Sequence, residues 1–477
     1  MDIEAFRQWS HRAADWAADY RAGLRERPVR SPLRPGEIAE RIAVSPPEQA
    51  EPFERIFADF ESIVPPGMTH WQHPRFFAYF PSNAAPPAVI AEQLAAAMST
   101  QGMLWQTSPA ATELEQRMVD WLRQAVGLPE GFSGVLQDTA SSATLCAVLT
   151  MRETALAWDG NRDGLAAHPQ VRIYTSPHAH SSVEKACWIA GIGARNLVQV
   201  PTRKDDPRLG IDPRALEAAI AADRRAGFLP AGIVACVGAT SIGASDPLRE
   251  IAAAAKREDL YLHVDAAWAG SAMICPEFRE MWDGIEEADS IVFNPHKWLG
   301  VPMECSAHFV RDPETLVRTL AIQPEYLKTH GRDGIVNFSE WSVQLGRRFR
   351  ALKLWFLVRA YGLEGLRTRI RDHVAWAGEL ARRIAGEPDF ELTSPPVLSL
   401  FSFRYTPAGE SSPEALDALN QRLLDAVNDD GTTYLTSTRL DGRLVIRFQV
   451  GPFDTTRDDV EQAWQAITRI ARSLPSA

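Results

Sequence analysis

The feature that most constrains the fold of this 477-residue chain is an alternation of short apolar runs with helical segments between about residues 139 and 293. The runs are rich in β-branched and aromatic residues, the composition of buried strands. They are Val171 to Tyr174, Leu197 to Val200, Ile233 to Val237, Leu260 to Val264 and Ser290 to Phe293. Helical spacing lies between them, near Val183, Leu216 and Ile251. Repeated β-α-β order predicts a mostly parallel sheet covered by helices on both faces.

Two of the predicted strands each deliver one charged residue to the same edge of this sheet. Asp265 stands at the end of one run, and Lys297 follows the next run after the strand-stopping pair Asn294-Pro295. Ligands bind at the carboxyl edge of open α/β sheets. A buried salt bridge between the two residues is the plain structural alternative. Small residues after Asp265, among them Ala267, let a bulky group approach the backbone, which favours a binding site.

The chemistry of this pair indicates a cofactor. A lysine amine in a desolvated pocket loses its proton readily and can form a Schiff base, and an aspartate beside a pyridine nitrogen keeps that nitrogen protonated. These are the two requirements for using pyridoxal phosphate as an electron sink. Thr139, Ala140 and Ser141 stand at the predicted start of a helix, where free backbone N–H groups can hold a phosphate. An ordinary helix cap is the alternative for that segment taken alone.

Three motifs carry a resemblance to a known family. Residues 294–298 (Asn-Pro-His-Lys-Trp), 263–272 and 179–184 resemble the group II pyridoxal-phosphate decarboxylases, and most of all the aromatic-L-amino-acid decarboxylases that act on dopa, tryptophan or tyrosine. The resemblance runs from roughly residue 4 to residue 470. It implies the type I pyridoxal-phosphate fold, an α/β fold whose large domain has a mostly parallel sheet. The implied domains are an N-terminal helical dimerisation segment at 1–80, the cofactor domain at 81–361 and a C-terminal α+β domain at 362–477.

The resemblance also implies roles for individual residues. Lys297 is expected to carry the cofactor, Asp265 to pair with its ring nitrogen, and His180 to stack on its ring and help order the substrate. Tyr326 lies in a polar loop with two glycines that is expected to act as a lid, and Tyr326 itself is expected to protonate the carbanion carbon of the substrate. A long helix is predicted after this loop, from about Ser339 to Tyr361. The other cofactor contacts that the resemblance implies are Thr139, Ala140, Ser141, Thr240, Ala267, Asn294 and His296.

The implied substrate is an aromatic L-amino acid, which decarboxylation converts to an arylalkylamine and carbon dioxide. Gly346 matches a position where some relatives use glycine for bulkier indole substrates, which favours a tryptophan-like ring. The sulfur-containing side chains of Met103 and Met303 supply flexible walls that could accept several rings. The residues expected in the pocket for the aromatic side chain are Trp71, Phe80, Pro81, Met103, Met303 and Gly346.

Composition limits the partners and the location of the protein. The chain has 50 Lys and Arg against 61 Asp and Glu, a net charge of −11, and no basic block, which argues against nucleic acid. It has no apolar signal core and no run of about eighteen apolar residues, so we expect neither export nor a membrane span. Five scattered cysteines without metal-ligand spacing indicate reduced thiols in the cytoplasm. An apolar stripe along residues 3–20 needs a partner surface, and the resemblance implies a homodimer.

The same residues are compatible with other functions. An aromatic acetaldehyde synthase would share every cofactor residue but consume oxygen, although such enzymes commonly replace the residues equivalent to Tyr326 or His180. An aminotransferase or a non-catalytic binding protein could use the same scaffold. Residues 239–243 nearly match the G-x-S-x-G motif of serine hydrolases but lack its first glycine. His178, His180 and His263 do not have zinc-site spacing, so no metal is expected.

Overall fold

A computed structural model describes residues 1–203, 205–322, 334–409 and 412–474. Along the chain its helices are α1 (Ile3–Ala22), α2 (Phe53–Ile63), α3 (Pro86–Met98), α4 (Pro109–Val126), α5 (Ala140–Ala155), α6 (Asp159–Asp163), α7 (Ser182–Ile189), α8 (Pro213–Arg225), α9 (Leu248–Glu258), α10 (Pro313–Leu320), α11 (Arg350–Gly386), α12 (Pro413–Asp430) and α13 (Arg457–Ser473). Its strands are β1 (Ser133–Gln137), β2 (Val171–Thr175), β3 (Leu197–Gln199), β4 (Leu229–Cys236), β5 (Tyr261–Asp265), β6 (Ser290–Phe293), β7 (Ser306–Val310), β8 (Phe390–Val397), β9 (Leu400–Tyr405), β10 (Thr436–Leu440) and β11 (Arg443–Gln449).

The chain forms two compact units. The larger unit contains Ser82–Ala375 and Pro395–Phe401, and the smaller unit contains Met1–Pro81, Trp376–Ser394 and Ser402–Ala477. The N-terminal and C-terminal segments therefore belong to one unit. The division into three domains at residues 80 and 361 stays a prediction.

A seven-stranded sheet forms the centre of the larger unit, in the order β1-β7-β6-β5-β4-β2-β3. The neighbours from β6 to β3 run parallel, which confirms the mostly parallel sheet. Strand β7 runs antiparallel to both β6 and β1. The connection from β6 to β7, residues 294–305, contains Lys297 and no helix. Because a parallel connection needs a longer crossover, this short connection makes β7 run antiparallel to β6.

Helix α5, whose first residues were predicted to hold a phosphate, is anchored in the core of the larger unit. Its buried residues Val148 and Met151 pack with Ile173 of β2, Val183 of α7 and Val234 of β4. This burial on one face of the sheet fixes where the helix begins, beside the ends of the central strands.

The smaller unit contains α1, α2, α12 and α13 and most of a four-stranded sheet in the order β10-β11-β9-β8. Asp459, at the third position of α13, joins the two ends of the chain within this unit. It closes a capping box with Thr456 and forms ion pairs with Arg25 (Nη2–Oδ2, 2.9 Å) and Arg75 (Nη1–Oδ1, 3.4 Å). Asp459 and Arg75 are buried, so these bonds hold the N-terminal segment against the C-terminal helix.

One predicted element is wrong in part. A helix was expected from Ser339 to Tyr361, but Phe338–Trp341 form a single 3-10 turn and α11 begins only at Arg350. The segment between them bonds to another loop: the N–H of Arg347 donates to Oε1 of Gln101 (2.8 Å), and its carbonyl accepts from the N–H of Gly102 (2.8 Å). These tertiary bonds replace the helical ones. In the described part of the chain, no helix is long and apolar enough to cross a membrane.

Candidate active site

Asp265 and Lys297 leave neighbouring parallel strands at the same edge of the sheet. Asp265 ends β5, where it pairs with Val292 of β6, and Lys297 follows β6 after a tight turn. The turn is held by two hydrogen bonds to the backbone of Lys297. Its N–H donates to the carbonyl of Asn294 (2.9 Å), and its carbonyl accepts from the side-chain Nδ2 of Asn83 (2.7 Å). The sequence prediction for the two residues matches this arrangement of strand ends.

The electrostatics of Lys297 favour a neutral amine. Burial lowers the pKa of Lys297 below its usual range, and the carboxylate of Asp265 opposes that effect. The pKa of His180 is also lowered, first by burial and then by Lys297, with Asp265 again acting in the opposite direction. The charges of Asp265 and Lys297 both shift the pKa of His180, and the charge of Asp265 shifts the pKa of Lys297. The three residues therefore form one electrostatic cluster. A lysine that loses its proton readily is a competent nucleophile toward an aldehyde.

One oxygen of Asp265 is bonded by the protein and the other is available. Oδ1 accepts a hydrogen bond from the N–H of Ala267 (3.0 Å), which fixes the carboxylate. Among the residues that the structure describes, Oδ2 accepts no hydrogen bond, although Asp265 is only 8% exposed. A buried carboxylate oxygen of this kind suits a protonated ring nitrogen, which would neutralise it.

The N-terminus of α5 lies beside these strand ends. Ala140 packs with Val292 of β6 and with Ala267, the residue that orients Asp265. Thr139 is the N-cap, and its side chain accepts from the N–H of Ser142. Within the described ranges, the N–H groups of Ala140 and Ser141 donate to no acceptor. Free N–H groups at the positive end of a 16-residue helix form an anion site.

Asn294 and His296 flank the lysine and are both buried. The hydroxyl of Ser306 donates to Oδ1 of Asn294, and the N–H of Cys305 donates to Nδ1 of His296 (3.0 Å). Burial, with Lys297 adding to it, lowers the pKa of His296 to about 3, so its ring is neutral. Asn294 is left with its Nδ2 donor and His296 with its Nε2 donor. Donors of this kind can bind an anion.

His180 and Thr240 come from loops after two other strands of the sheet. His180 precedes α7, and its Nδ1 accepts from the N–H of Ser182 (3.2 Å) and lies 2.9 Å from that residue's hydroxyl. Neighbouring atoms desolvate the imidazole in part, but the residue as a whole is exposed, so a flat ligand can reach it. Thr240 lies in the turn after β4 and is half-buried. Both therefore lie at the edge of the sheet where Asp265 ends β5, and their contacts with the cofactor stay a prediction.

Comparison with known proteins identifies the family of this site. Residues 35–406 match the model of the pyridoxal-dependent decarboxylase conserved domain. The chain belongs to the pyridoxal-dependent decarboxylase family. Tryptophan decarboxylase TDC1 of Camptotheca acuminata is 40% identical to this decarboxylase over 475 residues, which cover 98% of this chain and 94% of that relative. Phenylacetaldehyde synthase of Arabidopsis thaliana is 37% identical over 482 residues, which cover 99% and 97%.

A solved structure agrees with this assignment. Oryza sativa TDC, crystallised with PLP and tryptamine, superposes on this decarboxylase with a TM-score of 0.95 at 37% identity, covering 99% of this chain and 98% of that one. The type I pyridoxal-phosphate fold is confirmed, and pyridoxal phosphate is the cofactor. The residues fit it: a lysine of lowered pKa, an aspartate with an available oxygen, and free backbone N–H groups at a helix terminus.

The residues predicted to receive the substrate are divided between the two units. Met103, Met303 and Gly346 belong to the larger unit, where a Cβ at Gly346 would lie 3.2 Å from Nε2 of Gln101. The smaller unit holds Trp71, Phe80 and Pro81, with the Trp71 ring stacked on Phe76 at a centroid distance of 4.6 Å. Tyr326 lies outside the described residues. The substrate pocket therefore stays a prediction.

Sequence reasoning missed two residues that hold the lysine segment. Asn83 bonds to the carbonyl of Lys297 from 214 positions earlier in the chain, and Ser306 bonds to Asn294 from the adjacent strand. A lone asparagine between prolines is the only local signal for Asn83. The only local signal for Ser306 is a serine among apolar residues at the start of a strand. Many serines with a purely structural role have the same surroundings.

Proposed function

We propose that this decarboxylase converts aromatic L-amino acids to arylalkylamines and carbon dioxide. The observation that carries the proposal is the cluster of Asp265, Lys297 and His180 at one sheet edge, beside the free N–H groups of α5. Full-length similarity to a tryptophan decarboxylase supports the substrate class. We infer a preference for tryptophan-like rings from Gly346, with Trp71, Phe80, Pro81, Met103 and Met303 as further pocket residues.

Each residue of the site has a proposed task. When bound, pyridoxal phosphate supplies a ring that accepts the electrons of the bond to the leaving carboxylate. Lys297 would hold the cofactor through its side-chain amine, because burial lowers the pKa of that amine and makes its proton easier to lose. Asp265 keeps the ring nitrogen protonated through its available Oδ2. His180 covers the ring face, and Tyr326 donates a proton to the substrate Cα.

The phosphate contacts in this proposal come from two directions. Thr139, Ala140 and Ser141 offer the terminus of α5, while Asn294 and His296 offer side-chain donors from the turn before Lys297. Thr240 and Ala267 complete the set of cofactor contacts. Backbone dipoles and neutral donors can hold a dianion without a buried cation.

We further propose that the protein is a homodimer. Helices α1 and α2 pack on each other through Trp9 and Phe53 (ring centroids 5.0 Å apart), yet neither contains a buried residue. Ile3, Phe6 and Ile56 are 74%, 55% and 44% exposed, an apolar surface that a second copy would cover. Sedimentation equilibrium of the Phe6→Asp variant tests this, because an unchanged dimer would contradict the role of α1.

We also propose that the protein is located in the cytoplasm. The cysteines of the chain, Cys146, Cys187, Cys236, Cys275 and Cys305, are all free and buried. Free thiols persist in a reducing compartment. Fractionation of the producing cells tests the location.

An aromatic acetaldehyde synthase is the second candidate, because the phenylacetaldehyde synthase of Arabidopsis thaliana matches along the whole chain. His180 and Tyr326, which such enzymes commonly replace, favour simple decarboxylation. The deciding experiment gives the cofactor-loaded protein each aromatic L-amino acid and measures amine, aldehyde and oxygen uptake, with Lys297→Ala as the inactive control. Amine without oxygen uptake supports the proposal, whereas aldehyde with oxygen uptake would replace it by the second candidate.

A further inference from the structure

Ser306 is a fully buried hydroxyl between the two segments proposed to hold the phosphate. It begins β7, where it lies opposite Gln137, the last residue of β1 and two positions before the helix cap Thr139. On the other side, β7 pairs with β6, which Asn294 directly follows. The hydroxyl of Ser306 donates its hydrogen bond to Oδ1 of Asn294.

This bond determines which end of the Asn294 amide is available. An asparagine amide has an acceptor oxygen and a donor nitrogen, which are interchangeable in shape but opposite in polarity. With Oδ1 held by Ser306, Nδ2 is the end that is left, and within the described residues it donates to no acceptor. If the amide turned over, its carbonyl oxygen would be presented to an anion, which is electrostatically unfavourable.

Cys305, the residue before Ser306, likewise fixes which atom of the His296 side chain is the donor. The backbone N–H of Cys305 donates to Nδ1 of His296 (3.0 Å), so the single ring hydrogen of the neutral imidazole is on Nε2. Cys305, directly before β7, and Ser306, its first residue, thus set the donor ends of two side chains on the lysine turn. Backbone geometry fixes the second bond, but the first depends on one serine hydroxyl.

We propose that Ser306 is a positioning residue for the cofactor phosphate, acting through Asn294 by holding its amide with the N–H₂ group toward the phosphate. The proposal rests on the assignment of Asn294 as a phosphate contact in the proposed function. The ordinary alternative is a serine that only satisfies a buried polar atom. Ser290 provides that case on β6: it is equally buried, and its hydroxyl lies 2.7 Å from Nδ1 of His263.

The test compares binding of pyridoxal phosphate and of pyridoxal, which lacks the phosphate, by equilibrium dialysis of the full chain freed of cofactor. The variants are Ser306→Ala, Asn294→Ala, the double variant, and Ser290→Ala as the matched control. We expect Ser306→Ala to weaken binding of pyridoxal phosphate about tenfold, the size of one hydrogen bond to a charged group, with pyridoxal unchanged. In the Asn294→Ala background, Ser306→Ala should add no further loss. Ser290→Ala should leave the ratio of the two affinities at the wild-type value.

Several outcomes would overturn the proposal. Equal weakening of both ligands by Ser306→Ala would indicate a structural role, as would a full additive loss in the double variant. Thermal unfolding of each variant shows whether a loss of affinity follows from misfolding. Only a loss of affinity for pyridoxal phosphate that disappears in the Asn294→Ala background supports positioning. If Asn294→Ala does not weaken pyridoxal phosphate selectively, the phosphate assignment and this proposal both fail. Amine production by the wild type is assayed separately, so absence of decarboxylation would contradict the proposed reaction and leave the binding result standing.

Discussion

Trp298, the residue after Lys297, donates a hydrogen bond from its indole Nε1 to Nδ1 of His373 across 3.0 Å. Both side chains are buried, and the rings lie within 16° of parallel. His373 belongs to the part of α11 that follows a break at Gly362 (φ 64°, ψ 167°), so this bond ties the lysine turn to a helix. Asn83 holds the same turn through the carbonyl of Lys297. Lys297, proposed to hold the cofactor, therefore extends from a backbone that is fixed from two sides.

Replacing Trp298 by phenylalanine should destabilise the protein. The variant keeps an aromatic ring but removes the donor to Nδ1 of the buried His373, and an unsatisfied buried acceptor costs about 1–3 kcal/mol. Urea unfolding measures the loss, with Trp188→Phe as the control because Trp188 is 55% exposed. Equal midpoints for the two variants would contradict the structural role of the bond.

Acid should destabilise the fold through its buried histidines. Burial lowers the pKa of His296 and His373 to about 3 and of His308 to about 4. Since these values lie below the unfolded value of about 6.5, the stability that neutral rings contribute is present above pH 6.5 and is lost as pH falls toward the folded pKa. Each ring should then contribute a slope of about 1.4 kcal/mol per pH unit between about pH 6 and pH 4.

His308 offers a matched variant for that prediction. Its two ring nitrogens have no hydrogen-bond partner within the described residues, and its side chain is fully buried. His308→Leu should therefore fold with a shallower dependence of unfolding free energy on pH, by about one proton. Denaturant titrations at pH 7.5, 6.0 and 5.0 measure the slope. An unchanged slope would show that His308 does not contribute to acid unfolding.

Local patterns were sufficient to predict the central part of the site. Asp265 and Lys297 follow short apolar runs, and the carboxyl ends of parallel strands meet at one edge, so their proximity follows from element order. Thr139 was predicted as a helix cap from its residue type and its small neighbours, and it caps α5. Both inferences need only neighbouring residues and the general rules of sheet topology.

Contacts that depend on register could not be predicted in this way. The bond from Ser306 to Asn294 exists because β7 runs antiparallel beside β6, and no local pattern specifies that pairing. The same reason explains the helix wrongly extended back to Ser339. A helix was predicted there, but Gln101 bonds to the backbone of Arg347 from a distant segment, and the chain stays non-helical before α11.

Removing one partner of a buried ion pair beside that segment should strongly destabilise the protein. The guanidinium of Arg347 bonds to Glu115 twice (Nη2–Oε1 2.6 Å, Nη1–Oε2 3.2 Å), and the two side chains are 2% and 5% exposed. Glu115→Gln leaves the guanidinium buried without its counter-charge, which costs about 3–5 kcal/mol. Urea unfolding checks this value. Asp283→Asn, which breaks the exposed pair with Arg249, should leave the midpoint unchanged.

Asp265→Asn should separate cofactor binding from catalysis. The amide is nearly the same size and can still accept from the N–H of Ala267, so we expect the protein to keep its fold and to bind pyridoxal phosphate. Without the negative charge, the ring nitrogen loses the group that keeps it protonated. Because a nearby opposite charge changes proton affinity about 10- to 1000-fold, we expect kcat for amine formation to fall by about 10- to 1000-fold. Rates and bound cofactor are measured on the same preparation, so a low rate from empty sites is distinguished from a low rate in loaded ones. Asp265→Glu keeps the charge and should lose less activity, and an Asn variant as fast as the wild type would contradict the role of Asp265.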